Sequence, residues 1–198
     1  QMTDLGIEIH YNEKVESIDP FAGAPVIIAT GAVPRVLKKV PGHEKMVEAC
    51  EYLTGTPVGE KVAVIGGGMV GCETAEYLAA RGCKVSVIEM MDKIAAGEST
   101  TILPTLLENY KTYGVEQYPS HKVKEFRMDA VVCENKDGAE VTIPCDYIVL
   151  AMGARSNEFD AAALEAANIP VYAIGDAAGK TADISNAIRT GYDTACQL

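Results

Sequence analysis

The sequence has little positive charge. Its 198 residues include 17 lysines and arginines against 28 aspartates and glutamates, a net charge of −11. A field of that sign repels nucleic acid and anionic lipid, and excludes both as expected partners. No apolar run approaches the roughly 20 residues that a membrane span needs. The opening Gln1-Met2-Thr3-Asp4 has no cationic stretch leading into an apolar one, so the expectation is a cytoplasmic protein. The six cysteines, Cys50, Cys72, Cys83, Cys133, Cys145 and Cys196, include no C-x-x-C pair and no zinc or iron–sulfur ligand run. They read as buried free thiols. The three histidines, His10, His43 and His121, are isolated from one another, and no metal site is expected.

Hydrophobic residues make up 48% of the chain, enough for a real core in one ordinary domain or two small ones. Val62-Ala63-Val64-Ile65 is a short apolar strand followed at once by three glycines. Ala75, Leu78 and Ala79 then recur at helical spacing, ending near Arg81 before Gly82. A second strand runs from Lys84 to Ile88, completing a βαβ unit. Leu103, Leu106, Leu107 and Tyr110 predict another amphipathic helix, with Pro104 in its first turn and Gly114 as its stop; it should pack across the sheet. Val115 to Tyr118 reads as a third parallel strand. Residues 121–127, 129–135 and 139–143 read as antiparallel ribbon, with Asn135-Lys136-Asp137-Gly138 as the hairpin turn between the last two. Tyr147 to Ala154 is a buried strand running into glycine. On either side lie Gly6 to Tyr11, Val26 to Gly31 and Val171 to Asp176, read as strands, the second of them buried, and a final helix from Ile184 towards Cys196. The strand-to-glycine pattern of Ile27 to Ala32 returns at Val149 to Ala154, which hints at two related halves, one interrupting the other.

The chemistry-bearing motif is Gly66-Gly67-Gly68-Met69-Val70-Gly71. In a dinucleotide-binding turn the first glycine permits the tight bend, the second lets the backbone approach the pyrophosphate, and the third lets helix and strand pack closely. Gly66, Gly68 and Gly71 hold those places. The phosphates then meet unpaired N–H groups and the positive end of a helix dipole. A glycine turn alone is weak evidence, but this one follows an apolar strand, opens an amphipathic helix, and has an acid about 20 positions further on, Glu89, at the end of the next strand. Glu89 is placed to accept hydrogen bonds from the adenosine ribose and to repel the 2′-phosphate of NADP, so the expected ligand is NAD(H). Otherwise it would be an ordinary solvated strand end. Met90, Met91 and Asp92 bring no arginine for that phosphate, and Lys93 is the nearest cation that could receive it. Met90 is counted with Glu89 as cofactor-binding. Glu73 would either stabilise the start of the helix or point towards nicotinamide or flavin, while Met69 and Val70 would supply packing and backbone amides.

These residues, with Cys72-Glu73-Thr74-Ala75, Ile28 to Arg35, Ala173-Ile174-Gly175-Asp176 and Asn186 to Tyr192, resemble the C-terminal pyridine-nucleotide portion of NADH:flavin oxidoreductases related to 2,4-dienoyl-CoA reductase and 2-enoate reductase. The resemblance spans nearly the whole chain. It implies an α/β, Rossmann-like NAD(P)-binding domain, a parallel sheet plus antiparallel ribbon in a three-layer ββα arrangement, inserted in an incomplete FAD-binding domain. The implied boundaries are 58–154 for the NAD(H)-binding domain, and 1–57 with 155–198 for the FAD-domain pieces. Ala29, Thr30 and Gly31 would pass near the FAD. Gly175 would lie beside it, and Asp176 would bond its ribityl or phosphate region unless it serves only as a helix cap. Met152 and Gly153 would border the nicotinamide nucleotide. The intact enzyme would pass hydride from NADH to FAD and on through a 4Fe–4S cluster to FMN and an enoate or enoyl-CoA. No catalytic acid or base is expected in this chain, because hydride transfer relies on the cofactors' chemistry and on positioning.

Three family features are missing from this sequence: the FAD domain's own opening glycine turn, the N-terminal FMN barrel, and the cluster cysteines. The connection from Val15 to Val26 also looks short for the ribbon expected there. The chain therefore reads as a portion of a larger enzyme, with the barrel domain as its partner, inactive on enoates alone and poor at holding FAD. A disulfide reductase or NADH oxidase of the same two-domain type remains an alternative. A nucleotide-binding module without turnover is an alternative of another class.

Overall fold

A computed structural model of the chain describes residues 2–15, 21, 23–48, 59–96, 101–157, 159, 161–179 and 183–198. The chain forms two compact units, one of residues 34–154 and one of residues 1–33 with 155–198.

In residues 34–154 the sheet strands are β3 (Met46–Glu48), β4 (Lys61–Ile65), β5 (Lys84–Ile88), β6 (Glu116–Tyr118) and β10 (Tyr147–Leu150). They form a five-stranded parallel sheet in the order β3-β10-β4-β5-β6. The register sets Val64 between Val149 and Val87. Parallel strands covered on both faces read as continuous apolar runs, and the alternation within each run decides what it touches. Val62, Val64, Val85, Val87 and Val149 face a helical layer of α1 (Met69–Ala79) and α2 (Leu103–Tyr113), packing with Cys72, Ala75, Leu78, Leu106 and Tyr110. Ala63, Ile65, Ile88, Ile148 and Leu150 face the opposite way, against Phe126, Val131, Cys133, Ile143 and Cys145. Each fully buried aliphatic side chain in these layers contributes roughly 1.5–3 kcal/mol.

The opposing layer is the antiparallel ribbon β7 (Lys122–Phe126), β8 (Ala130–Glu134) and β9 (Glu140–Pro144). Its hairpin is set by Asn135, whose side-chain oxygen accepts from the backbone N–H groups of Asp137 and Ala139. Helix, parallel sheet and ribbon make the three layers expected from the sequence. The second helix joins its layer through the first: Tyr110 Oη donates to the Cys72 carbonyl at 2.9 Å, and Asn109 Nδ2 donates to Glu76 at 2.6 Å. Of its predicted apolar stripe, Leu106 and Tyr110 are buried while Leu107 is exposed.

In the other unit β1 (Val26–Ile28) pairs in parallel with β12 (Val171–Ala173). Val26 N–H donates to Pro170 O and Ile174 N–H to Ile28 O. A short helix α3 (Ala162–Ala166) buries Leu164. The final helix α4 (Ile184–Ala195) starts where Asp183 caps the Asn186 N–H at 2.7 Å. Two readings are corrected in this unit. Gly6 to Tyr11 is irregular backbone rather than strand: a strand needs a hydrogen-bonding neighbour, none pairs with it among the described residues, and Ile7, Ile9 and Tyr11 are exposed. The Val26 strand is only partly buried. Its one neighbour among the described residues covers Ile28 and leaves Ile27 42% exposed.

The internal echo has a structural counterpart. Gly31 and Gly153 have φ of +70° and +71°. They precede β2 (Ala32–Pro34) and β11 (Ala154–Ser156), which pair with each other. Asn157 N–H donates to Gly31 O, and Arg35 N–H to Gly153 O. Each glycine carbonyl thus accepts from the residue four positions after the other glycine.

Candidate functional site

The carboxyl ends of β10, β4 and β5 open onto a cleft of about 460 Å3, the end of a parallel sheet where α/β folds place their ligands. Its largely apolar wall includes Ile65, Gly66, Gly68, Ile88, Met152 and Gly153, with Glu89 among the polar groups. The structure therefore brings together the glycine turn, Glu89, Met90 and the Met152-Gly153 pair.

Each glycine of the turn has a distinct physical reason. Gly66 sits at φ +106°, a conformation L side chains rarely adopt, and a Cβ there would lie 2.3 Å from Ala151 O. A Cβ on Gly71 would lie 1.8 Å from Gly66 O, so only glycine lets α1 press onto the turn. Gly68, the N-cap of α1, has extended backbone, and a Cβ there would meet nothing within 4 Å. The space beside it is open. No side chain caps α1, and the first N–H groups of a helix have no intrahelical acceptor, so a set of backbone donors remains for an anion. This is the donor chemistry a pyrophosphate requires, and the residues fit that part of a nicotinamide dinucleotide.

Glu89 is half-buried and held firmly. Its Oε2 accepts from Gly67 N–H at 2.7 Å and its Oε1 from Met91 N–H at 2.7 Å. Its own backbone is tied to the next segment, Glu89 N–H donating to Tyr118 O and His121 N–H to Glu89 O. A carboxylate has about four acceptor positions, so two remain for ribose hydroxyls. The same contacts that fix the acid fix the turn: Gly67 O accepts from Ala95 N–H at 2.6 Å and from Cys72 Sγ at 3.3 Å.

Met69 and Val70 are 53% and 48% exposed, so their contribution is backbone amides rather than the packing expected of them, because the start of α1 lies at the mouth of the turn instead of under the sheet. Glu73 is exposed on α1 and is not part of the cleft wall. Met90 lines the cleft and is 63% exposed.

Sequence reasoning missed Leu37, Val40, His121, Lys122 and Val123, which also line the cleft. The available signal was positional: the first residues of the ribbon follow β6, the strand beside β5, and so arrive next to Glu89. Lys122, rather than Lys93, is the cation on the cleft wall.

In the other unit the remaining site residues also converge. Ala29-Thr30-Gly31 and Gly175-Asp176 follow the adjacent parallel strands β1 and β12. Thr30 Oγ1 donates to Asn157 O, Asn157 Nδ2 donates to Thr30 O, Ser156 Oγ donates to Asp176 O, and Gly175 N–H donates to Thr190 Oγ1 of α4. This donor set is partial for FAD, with two strand ends and one carboxylate but no glycine-rich phosphate turn in its sequence.

The thiols take no part in the cleft. Cys72, Cys133 and Cys145 are buried, Cys83 is half-buried and Cys196 is exposed, all five as thiols; Cys50 lies outside the described residues. Burial, with Cys145 nearby, pushes the Cys133 thiol up to about 12; burial and then Asp146 and Asp129 push Cys145 up to about 11. Both are protonated, unreactive core groups. Burial likewise raises the Tyr110 phenol far above its usual range, which keeps it a neutral donor. Among the described residues no group of histidines, cysteines and acids could hold a metal ion, and no helix is long and apolar enough to cross a membrane.

Comparison with known proteins agrees with this geometry. Residues 4–191 match the family model described as pyridine nucleotide-disulphide oxidoreductase. The chain is 39% identical over 207 residues to a bilirubin reductase of Mediterraneibacter gnavus, covering 97% of this chain and 30% of that protein. It is 34% identical over 205 residues to a cinnamate reductase of Clostridium sporogenes, covering 98% and 30%. The structure of a 2-naphthoyl-CoA reductase superposes with a TM-score of 0.78 at 28% identity, covering all of this chain and 30% of that one. The chain thus spans about a third or less of the length of these relatives. It belongs to the pyridine nucleotide-disulphide oxidoreductase family, whose domain binds FAD and a nicotinamide dinucleotide.

Proposed function

We propose that this chain is the NADH entry port of a longer flavin-dependent oxidoreductase. Residues 58–154 carry the nucleotide, and 1–57 with 155–198 supply part of the FAD-binding domain. The observation that carries this reading is the pairing, on one cleft, of an uncapped helix start facing open space at Gly68 with a carboxylate fixed by two backbone N–H groups. The pyrophosphate of NADH docks on the N–H groups of the Gly66 to Gly71 turn, and the adenosine ribose bonds Glu89. Met152 and Gly153, at the end of β10, border the nicotinamide half. The flavin, when bound, accepts the hydride. What these residues do is bind and orient; none holds or moves a proton, and catalysis by positioning needs none to.

The relatives' printed substrates, cinnamate and 2-naphthoyl-CoA, are conjugated acids or thioesters. With their greater length, they support an intact enzyme that carries electrons through a 4Fe–4S cluster to FMN in a barrel domain, and there reduces an activated carbon–carbon bond.

The preference for NADH rests on Glu89 against Lys122. Replacement Glu89→Gln removes the charge that repels a 2′-phosphate and weakens the hydrogen bonds to the ribose. Fluorescence titration should show NADH binding weakened by about tenfold, one good charged hydrogen bond, and NADPH binding strengthened relative to it. An unchanged ratio of the two affinities would contradict the assignment.

A further inference from the structure

We infer that His121 reads the adenine ring of the bound dinucleotide, its Nε2 accepting a hydrogen bond from the exocyclic amine. This rests on the NADH site proposed above and names the group that selects the base. The position follows from direction. The glycine turn lies on the Oε2 side of Glu89 through Gly67 N–H, and the Met90-Met91 segment lies on the Oε1 side through Met91 N–H. With the pyrophosphate on the turn and the ribose on Glu89, the base extends away from the turn, towards the part of the cleft wall formed by Met90, His121 and Val123. His121 is attached there by its backbone, its N–H donating to Glu89 O at 2.8 Å.

The ring's protonation is fixed by its partner. Nδ1 lies 2.7 Å from Pro119 O, and a carbonyl only accepts, so Nδ1 carries the hydrogen. In the neutral ring Nε2 is then a lone-pair acceptor, and no described residue donates to it. An edge contact with Tyr118, ring centroids 5.5 Å apart, holds the plane. An acceptor of fixed orientation on the cleft wall suits adenine, whose C6 amine donates. Hypoxanthine presents a carbonyl oxygen at the same place, and acceptor would face acceptor. Such a mismatch leaves a polar group unpaired, which discriminates more strongly than a lost apolar contact.

The test titrates the chain, by fluorescence, with NADH and with reduced nicotinamide hypoxanthine dinucleotide, which differ at that one position. The unaltered chain should bind NADH about tenfold more tightly. In His121→Leu the NADH affinity should fall about tenfold and the hypoxanthine affinity by less than twofold, so the ratio collapses towards one. Equal affinities in the unaltered chain would overturn the inference, and so would a variant that loses both ligands alike. Should the leucine variant fail to fold, shown by its circular dichroism, the comparison in the unaltered chain decides alone. Failure of both dinucleotides to bind the unaltered chain is a separate result, which defeats the NADH site itself and the inference with it.

Discussion

Gly68 and Gly71 lie within one turn of helix, yet the reasons for them differ, and substitution separates the two. Gly71→Ala places a methyl 1.8 Å from a backbone oxygen, so the turn and α1 must part. Overpacking of this kind costs about 1–3 kcal/mol, and chemical denaturation should show a loss in that range together with lost NADH binding. Gly68→Ala meets no protein atom; its cost should stay below about 1 kcal/mol, the order of an N-cap change, while NADH binding falls at least tenfold because the methyl occupies the phosphate's approach. Equal stability losses in the two variants would contradict these roles. The spacing of the motif made both glycines legible. The backbone bonds that orient Glu89 and the arrival of His121 and Lys122 beside it were not legible, because they depend on which strand ends become neighbours. Thiol chemistry is a further check at this scale. Alkylation at pH 8 followed by peptide mass mapping should label Cys196 readily and leave Cys133 and Cys145 unmodified until the protein unfolds, since burial keeps both protonated.

At the scale of elements, the strands that carry the site were the easiest to read. Val62 to Ile65 and Lys84 to Ile88 are apolar on both faces because helices cover one side of the sheet and ribbon the other. The failures share a cause. Ile7, Ile9 and Tyr11 alternate as a strand should, but alternation states only a preference for a pleated, half-covered surface, and here no partner supplies one. Leu107 fits the helical period of α2 yet faces solvent, because the contact of α2 with α1 is narrow and is made by Leu106 and Tyr110. That contact has two polar ties, Asn109 Nδ2 to Glu76 and, buried, Tyr110 Oη to the Cys72 carbonyl. Tyr110→Phe should therefore cost about 1 kcal/mol in denaturant unfolding, the order of one buried hydrogen bond, without altering NADH affinity by more than twofold. A large loss of binding with unchanged stability would show that α2 serves the site more directly than its place behind α1 implies.

For the molecule as a whole, the repeated strand-to-glycine pattern was the visible trace of a two-unit chain, and the mirrored bonds of Gly31 and Gly153 give it a physical form. One unit holds a phosphate turn and a ribose acid together; the other holds two strand ends and Asp176. On the function proposed above, reduced nicotinamide enters at the first of these units. Calorimetric titration of the unaltered chain with NADH and NADPH tests this most directly. The account predicts one NADH per chain, bound at least about tenfold more tightly than NADPH, a difference of roughly 1.4 kcal/mol. NADPH binding as tight as NADH, or tighter, would contradict it.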